Sequence, residues 1–352
     1  MEKDFGPAIR RMIFPILILL NLFVFAQQKD HNNSLNIISP KDSLHHQPDT
    51  NRWLQPDITA GMYNHFIANP GFCGSGIAYS YNTACNVSNP FYTMNDPGYH
   101  PFSFFASFEF SAGKKKTSGF GTCFLQSREG PRILNMINNS YSYKIQLGKY
   151  NQLRLGVSLN VFYNYLKSQY LTLGDMIDPS VGFVYYSNEQ LTEELKTRTW
   201  NMNAGFMFSR KQFYFGFSAL NLFKPLKNNH PERYIFKDID KSATKFVISS
   251  GYTFELSPKI SLSPSVQIRF TAKQFTADIH LTGLFCKHFI AGVSLNKLKT
   301  ISADLGCSFW NIMTFYVSGG ISTNSELYNH FGPLDYVSAN LKIELGKNRE
   351  KF

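Results

Sequence analysis

The feature that most constrains this chain is a two-residue alternation of apolar and polar side chains between residues 259 and 285. In its first run the apolar residues Ile260, Leu262, Val266, Ile268 and Phe270 alternate with Ser261, Ser263, Ser265, Gln267 and Arg269. After a break at residues 271–273 the alternation resumes and continues to Phe285. A period of two is typical of a β-strand with one apolar face. Two such runs in succession predict an antiparallel hairpin.

The length of each run, about ten to twelve residues, suits a membrane span, because a tilted strand needs ~9 to 11 residues to cross a bilayer. A soluble sandwich or a lipocalin-like barrel also alternates in this way. One hairpin therefore predicts a two-sided strand and leaves both classes open. The number of repeats along the chain has to decide between them.

The same alternation returns repeatedly from Gly71 onward. It predicts about fourteen antiparallel strands, the clearest of them at 102–111, 118–127, 138–148, 152–165, 200–209, 212–220, 245–255, 259–270, 274–285, 289–296, 300–309, 312–321 and 336–345. Short connections such as 210–211 alternate with long ones such as 167–199 and 221–244. An even strand number with alternating short and long connections is typical of bacterial outer-membrane barrels. We therefore predict an all-β fold, a transmembrane antiparallel β-barrel of about 14 strands.

Composition agrees with this fold and excludes others. Aromatic residues make up 16% of the 352 residues and charged residues only 17%, while the mean hydropathy is −0.21. A helical membrane protein would be far more apolar, whereas a barrel hides its apolar half in the alternation. The net charge of +11 is spread over turns and strand ends without a nucleic-acid motif. We expect no nucleic-acid partner, and membrane lipid phosphates as the anions that these cations meet.

The first 26 residues predict a secretory signal peptide. The basic pair Arg10 and Arg11 precedes an apolar run over 12–25, and small residues at Val24 and Ala26 favour cleavage after Ala26. An uncleaved anchor is the alternative. The predicted organisation is a signal peptide at 1–26, a polar periplasmic arm with an opening motif at 27–70, and an outer-membrane barrel at 71–352.

Motifs of catalysis are missing from the sequence. It contains no G-x-S-x-G elbow, no H-E-x-x-H and no phosphate-cradling glycine loop. Asp278 and His280, two residues apart on one strand face, could form an acid–base pair, but a lumen network with Arg269 explains them more simply. We expect no enzyme activity, no cofactor and no metal site.

The five cysteines show no spacing typical of a metal site. Cys73 and Cys85 could form a disulfide bridge, and small packed side chains are the favoured interpretation.

The polar face of the alternation predicts which charged side chains point into the barrel. These residues are Glu109, Arg154, Arg269, Asp278, His280, Asp304, Lys342 and Glu344. They could line an open channel, or they could pair with one another and close it. Charge alone does not choose between these two arrangements.

Two stretches resemble a known family. Residues 69–74 read Asn-Pro-Gly-Phe-Cys-Gly and resemble the opening motif Asn-Pro-Ala-Tyr-Ala-Gly of the PorP/SprF family of type IX secretion and gliding proteins. Residues 251–258 resemble the segment that precedes a hairpin in that family. The matching positions are Asn69, Pro70, Gly74, Gly251, Tyr252 and Pro258. Gly71 and Cys73 depart from the family pattern, and its Arg-Asn-Gln-Trp motif is missing near Tyr81.

The resemblance implies an outer-membrane barrel that works with the type IX secretion and gliding machinery. It further implies partners among the periplasmic ring or peptidoglycan-binding components, and export or surface anchoring of a secreted adhesin. A passive outer-membrane porin for small solutes is the alternative function.

Overall fold

The computed structural model describes residues 65–75, 79–88, 102–113, 116–129, 132–167, 177–178, 182–183, 194–223, 244–271, 275–286, 288–296, 300–310, 312–322 and 334–345. The predicted signal peptide and residues 27–64 of the predicted arm lie outside this part of the chain. The domain boundaries at 26 and 70 therefore stay predictions. Within the described residues, no helix is long and apolar enough to cross a bilayer.

Strands dominate the described chain. They are β1 Tyr79–Ser88, β2 Phe102–Ala112, β3 Ser118–Glu129, β4 Arg132–Gln146, β5 Asn151–Lys167, β6 Ile177–Asp178, β7 Gly182–Phe183, β8 Glu194–Arg210, β9 Phe213–Leu220, β10 Lys245–Tyr252, β11 Phe254–Ser257, β12 Ile260–Phe270, β13 Phe275–Phe285, β14 Phe289–Asn296, β15 Thr300–Phe309, β16 Met313–Ser322 and β17 Leu334–Leu345. One short helix, α1, spans His65–Ala68, and a 3-10 helix spans Pro70–Phe72.

The strands close into one ring. Each pairs antiparallel with its neighbours, and β1 pairs with β17 from Tyr79 opposite Leu345 to Ser88 opposite Tyr336. β10 and β11 both pair with β12 and act as one strand interrupted at Thr253. The pair β6–β7 forms a separate two-stranded sheet. The ring therefore has fourteen strands, as the sequence predicts.

Burial in the barrel wall is the reverse of that in a soluble protein. On β5 the apolar residues Leu155 and Val157 expose 47% and 48% of their surface, whereas Arg154 and Ser158 expose 2% and 3%. Polar side chains thus face the barrel interior, which we call the lumen, and apolar side chains face outward. This arrangement is stable only when the outer surface is covered by lipid.

One predicted connection is partly strand. The sequence predicted an irregular segment over 167–199, but β8 already begins at Glu194 and pairs with β5 from Lys167 opposite Glu194 onward. The polar residues at 196–199 gave no alternation that would indicate a strand, because apolar–polar alternation ends where a strand has left the membrane. The sequence leaves open a short helix or a strand fragment at 181–187 in this connection. Gly182–Phe183 is strand, and the other residues of that range lie outside the described chain.

All five cysteines are free. Cys73 and Cys123 are buried, with 0% and 1% of their surface exposed, whereas Cys85 is exposed. The disulfide alternative for Cys73 and Cys85 is therefore wrong, because the first points into the lumen and the second points out of the wall.

Candidate functional site

The lumen contains a segment of the chain itself. Residues 65–75, which we call the plug, form α1 and the 3-10 helix immediately before β1. Asn69 caps the 3-10 helix by accepting a hydrogen bond from the Gly71 amide at 2.9 Å, and Pro70 supplies the fixed backbone angle that suits a first helical position. The Asn-Pro-Gly sequence therefore builds a compact turn that fits inside the barrel.

Asn69 also fastens the plug to the wall. Its side-chain amide nitrogen donates to the backbone oxygen of Phe206 on β8 at 2.9 Å and to that of Phe217 on β9 at 3.3 Å. The residue is only 1% exposed. Because its side-chain oxygen and nitrogen both make hydrogen bonds, Asn69 determines both the shape of the plug and its position.

The plug carbonyls are held by donors from the wall. Ser218 donates to the backbone oxygen of Ala68 at 2.6 Å, and Ser142 and Arg154 both donate to that of Cys73, at 2.6 and 3.2 Å. Glu109 closes the far end of the plug by accepting from the Gly74 amide at 2.9 Å. Two of the predicted lumen charges, Glu109 and Arg154, therefore hold backbone groups of the plug.

Glycines in the wall make room for this close approach. A Cβ atom at Gly119, Gly156 or Gly205 would overlap Cys73, Pro70 or Asn69 respectively. A Cβ atom at Gly121 or Gly216 would come within 2.8 or 2.7 Å of plug side chains. We call these five residues, Gly119, Gly121, Gly156, Gly205 and Gly216, the glycine seat. Sequence reasoning missed it, although alternation places each of the five on the inward face of its strand.

Apolar side chains from the plug and the wall form a cluster inside the lumen. Phe66, Phe72 and Cys73 of the plug pack with inward-facing wall residues, namely Ala84, Phe105, Cys123, Leu125, Leu134, Met136, Phe162 and Met207. Phe105 interrupts the polar face of β2 in the sequence, and this cluster is the reason. The wall positions in this cluster can be apolar because the plug excludes water from them.

His65 is the first residue of the plug and packs against aromatic rings of the plug and of β9. Its ring centroid is 5.2 Å from that of Phe72 and 5.9 Å from that of Tyr214. Loss of hydration inside the barrel, together with the smaller effects of the Lys342 and His280 charges, lowers the pKa of His65 to about 4. The imidazole is therefore neutral at pH 7.

The thiol of Cys73 is kept in its neutral form. Burial raises its pKa well above the usual value, the Glu109 carboxylate raises it further, and Arg154 opposes the shift. The thiolate is the reactive form of cysteine. Cys73 is therefore unreactive while the plug is seated.

The opposite wall, formed by β12 to β17, contains two ion pairs between its own side chains. Arg269 pairs with Asp278 and Lys342 pairs with Glu344, each at 2.6 Å. His280 and Asp304 are also inward, at 8% and 6% exposure. The ion pair of Asp278 favours the lumen network over an acid–base pair with His280. Among the residues in view, no three His, Cys, Asp or Glu side chains lie close enough to hold a metal ion.

Comparison with known sequences gives the family. The sequence profile of the type IX secretion system membrane protein PorP/SprF matches residues 54–331. The chain belongs to the PorP/SprF family. The match spans the plug and most of the barrel, and none of the curated protein sequences matches the chain.

Two solved structures that align with this PorP/SprF member come from other bacteria. The Ralstonia pickettii toluene transporter TbuX aligns with a TM-score of 0.48 and 8% identity, covering 80% of this chain and 93% of that one. The Acinetobacter baumannii outer membrane protein Omp33 aligns with a TM-score of 0.44 and 7% identity, covering 77% of this chain and 100% of that one.

The residues that carry the PorP/SprF resemblance lie at two places. Asn69, Pro70 and Gly74 belong to the plug. Gly251 lies against the ring of Tyr214, which in turn packs edge-on against Phe72 at 5.4 Å. Tyr252 is 38% exposed and its ring lies 4.5 Å from that of Phe254. Pro258 lies in the turn between β11 and β12. Four of these six residues are thus in the plug or in its packing.

Proposed function

We propose that this PorP/SprF protein is a closed outer-membrane barrel of the type IX secretion and gliding machinery. In this role it assists export or surface anchoring of an adhesin, or it links the outer membrane to periplasmic ring or peptidoglycan-binding components. Family membership supports the association with secretion. The polar interior and apolar exterior of the barrel support a location in the outer membrane.

The observation that carries the proposal is the plug bonded inside the lumen. The plug is bonded to four strands through Asn69, Ser142, Arg154 and Ser218. Inward-facing residues on the other side are also buried: Asn82, Asp278, Asp304, Ser318 and Asn340 expose between 2% and 6% of their surface. A diffusion channel needs a continuous wet path. A barrel whose lumen holds a bonded plug is better suited to holding protein partners than to passing solutes.

The alternative is a passive porin for small solutes. Its strongest support is the set of inward charges, because rings of charged side chains line many channels. Here Glu109 and Arg154 bind the plug, and Arg269, Asp278, Lys342 and Glu344 form ion pairs. Charges that are engaged in this way favour the closed barrel.

Two measurements test the proposal together. A tagged barrel is recovered from native membranes with its partners, and the purified protein is inserted into planar bilayers. We expect type IX ring components or a large surface adhesin in the recovered material, and no steady conductance. Recovery of the barrel alone, with solute-selective conductance, would make the porin the better interpretation.

The same proposal includes the absence of catalytic activity. The inward polar residues are spread over many strands and do not converge on one nucleophile and base. Replacing Asp278 and His280 by Ala is expected to leave secretion of the cargo intact. A hydrolase activity that disappears in this variant would contradict the expectation.

A further inference from the structure

We propose that the turns joining β4 to β5 and β8 to β9 form a binding site for the phosphate group of an anionic phospholipid. The site consists of Lys149, Tyr150, Arg210 and Lys211. The two turns are neighbours because β5 pairs with β8, with Asn151 opposite Arg210. Four residues that are distant in sequence therefore meet at one point of the rim.

The cations of this site surround one aromatic ring. The Lys149 ammonium lies 5.3 Å from the centroid of the Tyr150 ring, and the Lys211 ammonium lies 5.0 Å from the same centroid. Tyr150 is 50% exposed. Attraction of both ammonium groups to the same ring offsets part of their mutual repulsion. The pair is thus held together at the surface with its charge available.

The charge of the site is uncompensated. Within the described chain, Lys149, Arg210 and Lys211 make no ion pair with a carboxylate. Three neighbouring cations without a counter-charge repel one another. An anion that bridges them would remove this cost, and a guanidinium beside ammonium groups is a donor set that suits phosphate.

The position of the site points to a lipid as the source of that phosphate. Ser209 is buried and faces the lumen, so its neighbour Arg210 faces outward, in line with Phe208 and Phe206 on the lipid-facing side. Leu147 beside the site is 56% exposed. Tyrosine and basic residues at the end of an apolar band mark the level of lipid headgroups. Short turns of such barrels face the periplasm, where the leaflet consists of phospholipids.

The rim is not basic everywhere, which makes the site selective. The turn between β15 and β16 exposes Trp310 at 81% and carries no cation in its sequence Trp-Asn-Ile. An aromatic residue alone anchors a barrel to any lipid. The site at Tyr150 is therefore expected to retain anionic lipid while the rim at Trp310 does not discriminate.

The test compares two double variants that each remove two cations. K149Q/K211Q alters the site, and K196Q/R198Q removes two cations that lie over Tyr165 and Tyr163 near the other end of β8. Each purified barrel is placed in lipid nanodiscs of phosphatidylcholine with a minor fraction of phosphatidylglycerol. The phosphatidylglycerol retained per barrel is then counted by native mass spectrometry.

We expect K149Q/K211Q to bind phosphatidylglycerol more weakly by about fivefold per lost cation, since each basic residue near an anionic surface is worth ~1 kcal/mol. K196Q/R198Q should match the unaltered protein. R210K should retain lipid better than R210Q, because lysine keeps the positive charge and loses only the paired N–H donors of the guanidinium. Single variants replace the double one if it fails the heat-modifiable gel test for folding.

Three results would overturn the proposal. The first is equal retention by K149Q/K211Q and K196Q/R198Q. The second is displacement of the lipid by millimolar inorganic phosphate, which would indicate a site for free phosphate. The third is capture of an acidic periplasmic protein that depends on Lys149 and Lys211 while lipid retention does not.

Discussion

The two walls of the barrel bury polar groups by different means. The wall formed by β3, β4, β5, β8 and β9 uses glycines, serines and one arginine to bind the backbone of the plug. The opposite wall pairs its own side chains, as in Arg269 with Asp278. The first wall takes its partners from a segment elsewhere in the chain, whereas the second pairs charges among its own side chains. A change in the first wall should therefore affect closure of the lumen, and a change in the second should affect only stability.

The substitution Gly156→Val tests this difference most severely. The valine side chain would occupy the space of Pro70, so the plug must leave or the barrel must lose about 3 kcal/mol through overpacking. We expect conductance steps in planar bilayers that the unaltered protein lacks. The matched control is Gly319→Val on the outward face, where the nearest atom to an added Cβ is 3.9 Å away. A closed and fully stable Gly156→Val barrel would show that the plug is not seated on the glycines.

Asn69→Ala should loosen the plug without blocking its seat. It removes the hydrogen bonds to Phe206, Phe217 and Gly71, and unpaired buried groups cost ~1 to 3 kcal/mol. Labelling of Cys73 by a small maleimide, with the other four cysteines replaced by serine, is expected to accelerate by about tenfold to a hundredfold. Asn296→Ala is the control, because its amide bonds Ser302 and Tyr336 on the opposite wall. Equal labelling rates of Cys73 in Asn69→Ala and Asn296→Ala would show that Asn69 does not hold the plug in place.

Acid should weaken the plug through His65. The seated imidazole has a pKa of about 4, whereas a released imidazole has its ordinary value near 6.5. Between pH 6.5 and 4 the released state binds more protons, so falling pH favours release by up to ~1.4 kcal/mol per unit. Above pH 6.5 this effect is absent. We expect channel opening to rise by up to about tenfold per pH unit in this window, and this rise to be lost in His65→Gln. The same pH dependence of opening in both proteins would show that His65 does not control release of the plug.

The smallest effect is expected on the opposite wall. Asp278→Asn leaves Arg269 without its counter-charge, and their side chains are 6% and 24% exposed, so we expect a loss of about 2 kcal/mol in urea unfolding from vesicles. The lumen should stay closed, and Cys73 should label at the unaltered rate. The double variant R269M/D278L should recover most of the loss. An increase in Cys73 labelling with Asp278→Asn would mean that the two walls are coupled.

The strand pattern of the barrel could be predicted from sequence because lipid imposes it residue by residue. The alternation at 259–285 gave β12 and β13 within one or two residues. The extra length of β8 could not be predicted, because beyond the membrane both faces of a strand are wet and the alternation ends. The turn chemistry of the plug was visible in Asn69 and Pro70. The position of the plug inside the lumen could not be predicted, since it depends on contacts between residues more than 130 positions apart, such as Asn69 and Phe206.

The candidate site was predicted in part for a similar physical reason. Alternation put Glu109 and Arg154 on the inward face, but it could not tell whether a charge meets water, another side chain or a backbone group. Gly119, Gly156 and Gly205 gave no signal in an apolar–polar pattern, because glycine has no side chain to assign to either face. A search for glycines at inward positions on neighbouring strands would have found the seat.

The unequal strand lengths have a mechanical consequence. β5 and β8 have 17 residues each and β4 has 15, but β9 has only 8. A 17-residue strand is ~57 Å long, and at a tilt near 40° it rises ~43 Å along the membrane normal, against an apolar band of ~25 Å. Three strands therefore stand above the membrane as a stiff sheet at the long-connection end. Ser142, Arg154 and Phe206 on these same strands bind the plug. A force applied to the raised sheet would be transmitted along continuous backbone to the plug contacts. A load outside the cell would therefore act on the plug inside the lumen.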